Sequence, residues 1–531
     1  MKYTTLIATL LAISSLAFGA AKKQQNLSKF ILTPPPSAKP RINGAKIFGA
    51  RPGNPFLFKV AATGKKPLEY SAENLPSGLK IDSETGIITG KVTKPGEYKA
   101  QISVANKLGK AERELRIKIG DTICLTPPMG WNSWYCHSHL VSEDAVREIA
   151  KAMYDKGLVD HGWTYVNIDD CWQGVRGGKY KAVQPNERFT DMKAMCDYVH
   201  SLGLKVGIYS TPWMGTYAGF IGGSSPNAEG DYSAYYKPEK DRSQPHQFFG
   251  STYKQRKGMH KKGKYWFFDK DVKQWAEWGF DFAKVDWYKC GPAGAKEVHD
   301  ELVNCGRDLV LSLANNAQLK SAEARAKHSN CWRTSGDVKN SWSSVKKNGT
   351  GVEPWLPYSS PGHWNDPDML QIGNLATPNQ KNTEFTPTSL TPDEQYSQVS
   401  LWCLLSAPLI LSCDVTAFDD FTLNLLTNDE VIEVNQDPGG LQTRRLKSTG
   451  SSTPGTDRWI KPMEDGSVAV GLFNIKGEST GNIAVSWEEL GLKGEQIVRD
   501  LWRQKDLGVF KNSFSAPVNT HGVVLVNIRP K

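Results

Sequence analysis

Four stretches of this sequence set acidic side chains directly behind apolar runs or among aromatic residues. Asp169 and Asp170 follow Tyr165-Val-Asn-Ile168, and Asp286 follows Phe280 to Val285. Asp366 and Asp368 sit in Gly362-His-Trp-Asn-Asp-Pro-Asp-Met-Leu, and Asp337 ends Cys331-Trp-Arg-Thr-Ser-Gly-Asp. An acid in apolar surroundings is costly unless it is paired or does chemistry. Two such carboxyl groups, one attacking or acting as base and one donating a proton, are what glycosyl transfer to water requires. A sugar face also needs an apolar platform, and Trp131, Trp134, Trp172, Trp213, Trp332 and Trp364 are candidates. Each part has an ordinary use: an Asp can cap a helix, adjacent acids can hold a cation, and a Trp can fill a core. The combination favours chemistry.

These residues need a scaffold that gathers strand ends. From Leu125 to Asp437 apolar strand runs alternate with helical segments, the pattern of a parallel sheet. Tyr165 to Ile168, Lys205 to Tyr209, Phe280 to Val285, Leu309 to Leu313 and Leu409 to Leu411 read as strands. The helix from Pro392 has Thr391 as its cap. The number of repeats and their polar ends favour a closed (β/α)8 barrel, in which catalysis sits at the C-terminal strand ends. Residues 45–119 and 438–531 instead carry short alternating strands separated by turn signals, the signature of small β-sandwiches. The domains expected are therefore a Pro-rich linker at 22–44, an Ig-like β-sandwich at 45–119, a barrel at 120–437 and a C-terminal antiparallel β-sandwich at 438–531.

The N-terminus reads as a signal peptide over residues 1–21: Lys2, an apolar run from Leu6 to Phe18, then Gly19, Ala20 and Ala21. The expected location is secreted, periplasmic or at the cell surface, with no membrane span left after cleavage. The chain has 531 residues, 39% of them hydrophobic, and a net charge of +10. That charge is mild for the length. Its one concentrated patch, Lys254 to Lys264, does not make a nucleic-acid-binding face. Nine cysteines leave an odd thiol, and no pair has zinc-finger spacing, so no metal is assigned; no organic cofactor is expected either.

The segment Thr126-Pro-Pro-Met-Gly-Trp-Asn-Ser-Trp resembles the first barrel strand of glycoside hydrolase family 27, the α-galactosidase and α-N-acetylgalactosaminidase family. So, in the family's order, do Ile168-Asp-Asp-Cys-Trp, Gly207-Ile-Tyr, Lys284-Val-Asp286, Trp332-Arg333 through Asp337, Trp364-Asn-Asp-Pro-Asp-Met-Leu and Glu433-Val-Asn-Gln-Asp-Pro. The similarity covers about residues 123–531. Leu75-Pro-Ser-Gly through Gly86-Ile-Ile-Thr-Gly resembles Ig-like modules attached to bacterial surface enzymes.

The resemblance implies a retaining exo-glycosidase with Asp286 as nucleophile and Asp337 as acid/base. It implies that Asp169 and Asp170 bind the distal hydroxyls, with Trp134 as apolar wall. Tyr209 and Lys284 would line the pocket, Arg333 would face position 2, and Asp366 joins the substrate-binding set. Cys136 and Cys171 match a family disulfide. The implied substrate is an oligosaccharide or glycoconjugate ending in α-linked galactose. α-N-Acetylgalactosaminide and β-L-arabinopyranoside are alternatives within the family, and a non-catalytic carbohydrate-binding protein is the alternative outside it. The cations Lys284 and Arg333 suit this, because a nearby positive charge favours an ionised carboxylate.

Three departures stand out. Asp286-Trp-Tyr-Lys-Cys290 is two residues longer than the family's aspartate-x-cysteine, and the cysteine partner expected for it in the loop after Tyr209 is missing. The strand ending Ser312-Leu-Ala-Asn-Asn-Ala317 lacks the usual cysteine and tryptophan, and small Ala314 and Ala317 leave room for an N-acetyl group at position 2. The stretch from Thr211 to Phe268 has no clear strand but many aromatics. A connection of that length over a barrel mouth is expected to be either a packed excursion or a lid for the leaving group.

Overall fold

Eight short strands, buried almost throughout, run parallel: β1 Met129–Asn132, β2 Tyr165–Asn167, β3 Lys205–Ser210, β4 Phe282–Val285, β5 Val310–Leu313, β6 Cys331–Arg333, β7 Trp364–Asp366 and β8 Leu409–Leu411. They hydrogen-bond in the order β7-β6-β5-β4-β3-β2-β1-β8, and a parallel bridge from Leu370 to Leu411 joins the ends into a TIM-like barrel. This computed structural model describes residues 27–286, 291–315, 317–376, 384–446, 455–477 and 479–531. The expected signal segment, residues 287–290 with Cys290, and Asn316 lie outside the described residues.

Two glycines allow the strands to approach. A Cβ at Gly130 on β1 would lie 2.3 Å from the Tyr165 carbonyl oxygen, and one at Gly207 on β3 would lie 2.0 Å from Asn167 Oδ1. Helices cover the barrel. Glu143–Asp155 is capped by Ser142, whose hydroxyl accepts from Ala145 N at 3.2 Å. Pro392–Leu404 carries a full capping box: Thr391 accepts from Glu394 N, and Glu394 accepts from Thr391 N at 2.8 Å. Such a cap stabilises by about 1 kcal/mol, and it is the one the sequence specified.

The N-terminal sandwich packs on the barrel's floor, the N-terminal ends of the strands. It pairs a four-stranded sheet with a three-stranded one around Phe56, Tyr70, Ile88, Ile102, Val104 and Ile117. Below the strands Ile123, Tyr165, Phe282 and Val310 form a floor cluster. Asp308, just before β5, accepts from Arg51 N at 2.9 Å and Asn54 Nδ2 at 2.9 Å. Lys205 Nζ, at the start of β3, lies 4.4 Å from the Phe48 ring centroid.

The C-terminal part is a six-stranded antiparallel sheet with a separate two-stranded pair, closed over Ile460, Val470, Leu472, Val485, Val498 and Val526. Trp487 starts the one-turn helix Trp487–Leu490, because Ser486 and Glu489 form a capping box there. No helix among the described residues is long and apolar enough to cross a membrane.

Candidate active site

Every acid singled out from the sequence comes from the C-terminal end of a barrel strand or the loop after it. Asp169 and Asp170 follow β2, Asp286 follows β4, Asp337 follows β6 and Asp366 ends β7. Strand register explains part of the convergence. Tyr209, Lys284 and Ser312 are direct partners across β3, β4 and β5, so they share one face of the sheet.

Lys284 organises the β2 side. Its ammonium donates to Asp169 Oδ2 at 2.7 Å and lies 5.6 Å from the Tyr209 ring centroid. Burial would push this lysine down, but the Asp169 and Asp286 carboxylates outweigh it and raise its pKa. Asp169 also accepts from Asn132 Nδ2 at 2.9 Å and from Asp170 N at 2.8 Å. Tyr209 is fully buried, and its hydroxyl is raised first by burial, then by Asp286, with which it shares a hydrogen bond. Asp286 N donates to Ser210 O at 2.9 Å, which ties the residue after β4 to the end of β3.

The β6 and β7 side is held by Arg333. Its Nη2 lies 2.9 Å from Asp368 Oδ2 and 3.3 Å from Asp337 Oδ1. Asp368 also accepts from Val338 N at 2.7 Å, so it grips the backbone next to Asp337. Burial raises the Asp368 carboxyl, and the Arg333 guanidinium opposes that rise. Asp366 is raised by burial too, opposed by Arg333, and its Oδ1 accepts from Asp368 N at 2.7 Å. Asp366 therefore orders the turn that delivers Asp368. The sequence motif contains Asp368 but assigns it no role. The turn carries Asp368 at φ 88°.

Trp134 lies on the one-turn helix after β1, half-buried, with Tyr217 edge-on at 6.2 Å between ring centroids. Trp213 is also half-buried. Trp131, Trp172, Trp332 and Trp364 are buried in the core, and the indoles of Trp131, Trp172 and Trp364 donate to backbone carbonyls. Those four serve packing.

Cys136 lies on the one-turn helix after β1 and Cys171 in the loop after β2. Cys136 and Cys171 are both buried thiols. Burial raises both well above the usual thiol range.

The connection from Thr211 to Phe268 is a packed excursion. Ala218, Phe220, Ile221, Tyr232, Phe248, Phe249 and Met259 belong to the barrel's own apolar core. Gly222 and Gly223 let it fold back, since a Cβ at Gly222 would lie 2.2 Å from Trp213 O. It reaches the site directly: Ala218 N donates to Asp170 Oδ2 at 2.8 Å. No register for this contact is legible from residue order alone. In the basic stretch, Lys262 pairs with Glu297 on the helix Pro292–Val303, and Lys264 lies over Tyr265. Among the described residues no cluster of His, Cys, Asp and Glu could hold a metal ion.

The family model "Alpha galactosidase A" matches residues 126–242 and 250–437, and "Alpha galactosidase C-terminal beta sandwich domain" matches 453–528. An Ig-domain model matches 39–120. Alpha-galactosidase 2 of Arabidopsis thaliana is 32% identical over 416 residues, covering 76% of this chain and 90% of that protein. A crystal structure from Bacteroides fragilis superposes with a TM-score of 0.77 at 29% identity, covering 93% of this chain and 98% of that one. A GH27 β-L-arabinopyranosidase from Geobacillus stearothermophilus gives a TM-score of 0.63 at 27% identity over 77% of this chain and 98% of its own.

Proposed function

The chain belongs to the α-galactosidase A family, the glycosidases of family 27, and from that premise we propose that it removes terminal α-linked galactose from exported or surface-accessible glycans by double displacement. The observation that carries the reading is the division of charge across the strand ends. Lys284 ties Asp169 on one side and feels Asp286, while Arg333 holds Asp368 and touches Asp337 on the other.

In the first step an Asp286 oxygen attacks the anomeric carbon from the face opposite the leaving group. The bond to the aglycone oxygen breaks, and that oxygen takes the proton of the Asp337 carboxyl. This leaves a glycosyl ester on Asp286 and Asp337 ionised. In the second step Asp337 takes a proton from water, the water oxygen attacks the anomeric carbon, and Asp286 leaves as carboxylate. Two inversions return the α-configuration. Asp337 suits both roles because its side chain is 64% exposed, open to leaving group and water. The Asp169–Asp170 pair, across from Asp337, supplies acceptors for the hydroxyls distant from the bond that breaks.

The test is hydrolysis of para-nitrophenyl α-D-galactopyranoside followed by proton NMR. The first product expected is α-galactose. A first product with β-configuration would sink the double displacement, and no hydrolysis would sink the galactosidase reading.

A further inference from the structure

From Met214 to Ser225 every residue is buried except Tyr217. It is half-buried, in the middle of a run otherwise committed to the core. Both neighbours are fixed from below: Thr216 is fully buried and Ala218 is 2% exposed. Ala218 N donates to Asp170 Oδ2, and the Thr216 side chain hydrogen-bonds to the same carboxyl. Thr216 N in turn donates to Phe220 O at 2.8 Å, closing a tight turn that presents residue 217 at its tip.

The Tyr217 ring is held from two sides. Trp134 stands edge-on at 74° and 6.2 Å. The Arg256 guanidinium lies 5.7 Å from the ring centroid, and its Nη1 donates to Gly250 O and to Ser251 O. Arg256 is itself buried, 8% exposed, and Gly219 at φ 96° makes room for it, since a Cβ there would lie 2.7 Å from Arg256 Cδ. A ring that is presented to solvent yet wedged between a buried cation and a second aromatic is preorganised, so it loses little freedom on binding.

Tyr217 and Trp134 thus give a corner two aromatic edges, and the two residues that flank Tyr217 bind the Asp170 carboxyl. Asp170 already accepts from Cys171 N on Oδ1, from Ala218 N on Oδ2 and from the Thr216 side chain. A carboxyl group has about four acceptor positions, which leaves room for a ligand hydroxyl. A group that is apolar along its stem and hydroxylated at its tip fits that corner. On a galactopyranoside the exocyclic hydroxymethyl is such a group, and on an arabinopyranoside of the same ring configuration a hydrogen replaces it. The corner stands at the β1–β2 side of the mouth, across the ring of strands from Asp337.

We propose that Tyr217 determines which pyranose the site accepts, by closing with Trp134 over the hydroxymethyl group whose hydroxyl Asp170 binds. This rests on the galactosidase reading and deepens it. The long connection after β3 is what supplies the residue.

The experiment compares kcat/KM on para-nitrophenyl α-D-galactopyranoside and para-nitrophenyl β-L-arabinopyranoside. The parent is expected to prefer the galactoside. Tyr217→Ala should lower kcat/KM on the galactoside by roughly 10–100-fold, through KM, the range for losing contacts to one small apolar group. The arabinopyranoside should change by less than about 3-fold on the same reasoning. Tyr217→Phe should keep the parent's preference, because the ring and not the hydroxyl does the sorting. Tyr217→Leu, which keeps bulk in the turn, should lie between them and serves if the Ala variant does not fold. An unchanged ratio in both the Ala and Leu variants, or an equal loss on both substrates, would overturn the inference alone. A parent that hydrolyses neither glycoside would overturn the galactosidase reading and this inference with it.

Discussion

Arg333 and Asp368 form a buried ion pair 2.9 Å apart, their side chains 5% and 3% exposed, and the same Arg333 nitrogen reaches the exposed Asp337 at 3.3 Å. Asp368 also accepts from Val338 N. The proposed acid/base is therefore positioned twice by a residue that need not touch substrate: once through a shared guanidinium and once through the peptide that follows it. Asp368→Ala strips Arg333 of its main partner, and breaking a buried pair from one side costs about 3–5 kcal/mol. Urea denaturation should show that loss. Asp368→Asn, which can still accept from Val338 N, should keep more of the activity than Ala while shifting the pH–rate profile. Identical profiles for the parent and the Asn variant would remove the electrostatic part of this role.

Asp286→Ala should abolish turnover while leaving the melting temperature close to the parent's. Asp337→Ala should lose roughly 10²–10⁴-fold, the usual worth of general acid–base assistance, and less on substrates with good leaving groups. Azide should partly restore Asp337→Ala and yield a glycosyl azide, because a small anion attacks the ester without base help. If azide accelerates neither variant and yields no adduct, Asp337 is not the acid/base.

Asp170 gives a pH prediction with a definite sign. Burial pushes its carboxyl up to about 7, against roughly 3.9 for an unperturbed aspartate. Between those values the folded chain holds a proton that the unfolded chain has released. This group's contribution to stability therefore falls as pH rises through the window, and the loss is complete above the folded value. Asp170→Asn removes the titration. Its melting temperature should decline less than the parent's between pH 4.5 and pH 8, while kcat/KM drops. Parallel melting curves across that range would contradict the assignment.

Ala314 is buried at the end of β5, its N donating to Val285 O at 2.9 Å, one residue before Asp286 in the neighbouring strand. A small side chain there should admit an N-acetyl group at position 2. We expect turnover of para-nitrophenyl α-N-acetylgalactosaminide, and Ala314→Leu should reduce it more than galactoside turnover. A parent inactive on the acetamido sugar would refute this.

The barrel was readable because each strand is an apolar run that stops at a polar residue, as at Ile168 before Asp169 or Val285 before Asp286. The acids were readable for the same reason. What escaped was anything fixed by contacts remote in sequence. Nothing near Ala218 announces that its amide binds Asp170, forty-eight residues earlier. Trp131 and Trp172 looked like sugar platforms because the sequence shows their type but not that their indoles donate to backbone carbonyls. The Cys136–Cys171 pairing rests on likeness alone, and both residues are buried.

The Ig-like sandwich grips the barrel at the end where the strands begin, through Arg51 and Asn54 on Asp308 and Phe48 under Lys205. The carboxylates lie where the strands end. For anyone coupling this enzyme to a bead or electrode, the module is thus a ready-made handle. Attachment through its exposed lysines, such as Lys80 or Lys94, leaves the mouth turned outward toward bulky polymers, whereas coupling through Lys339 or Lys254 would turn it toward the support.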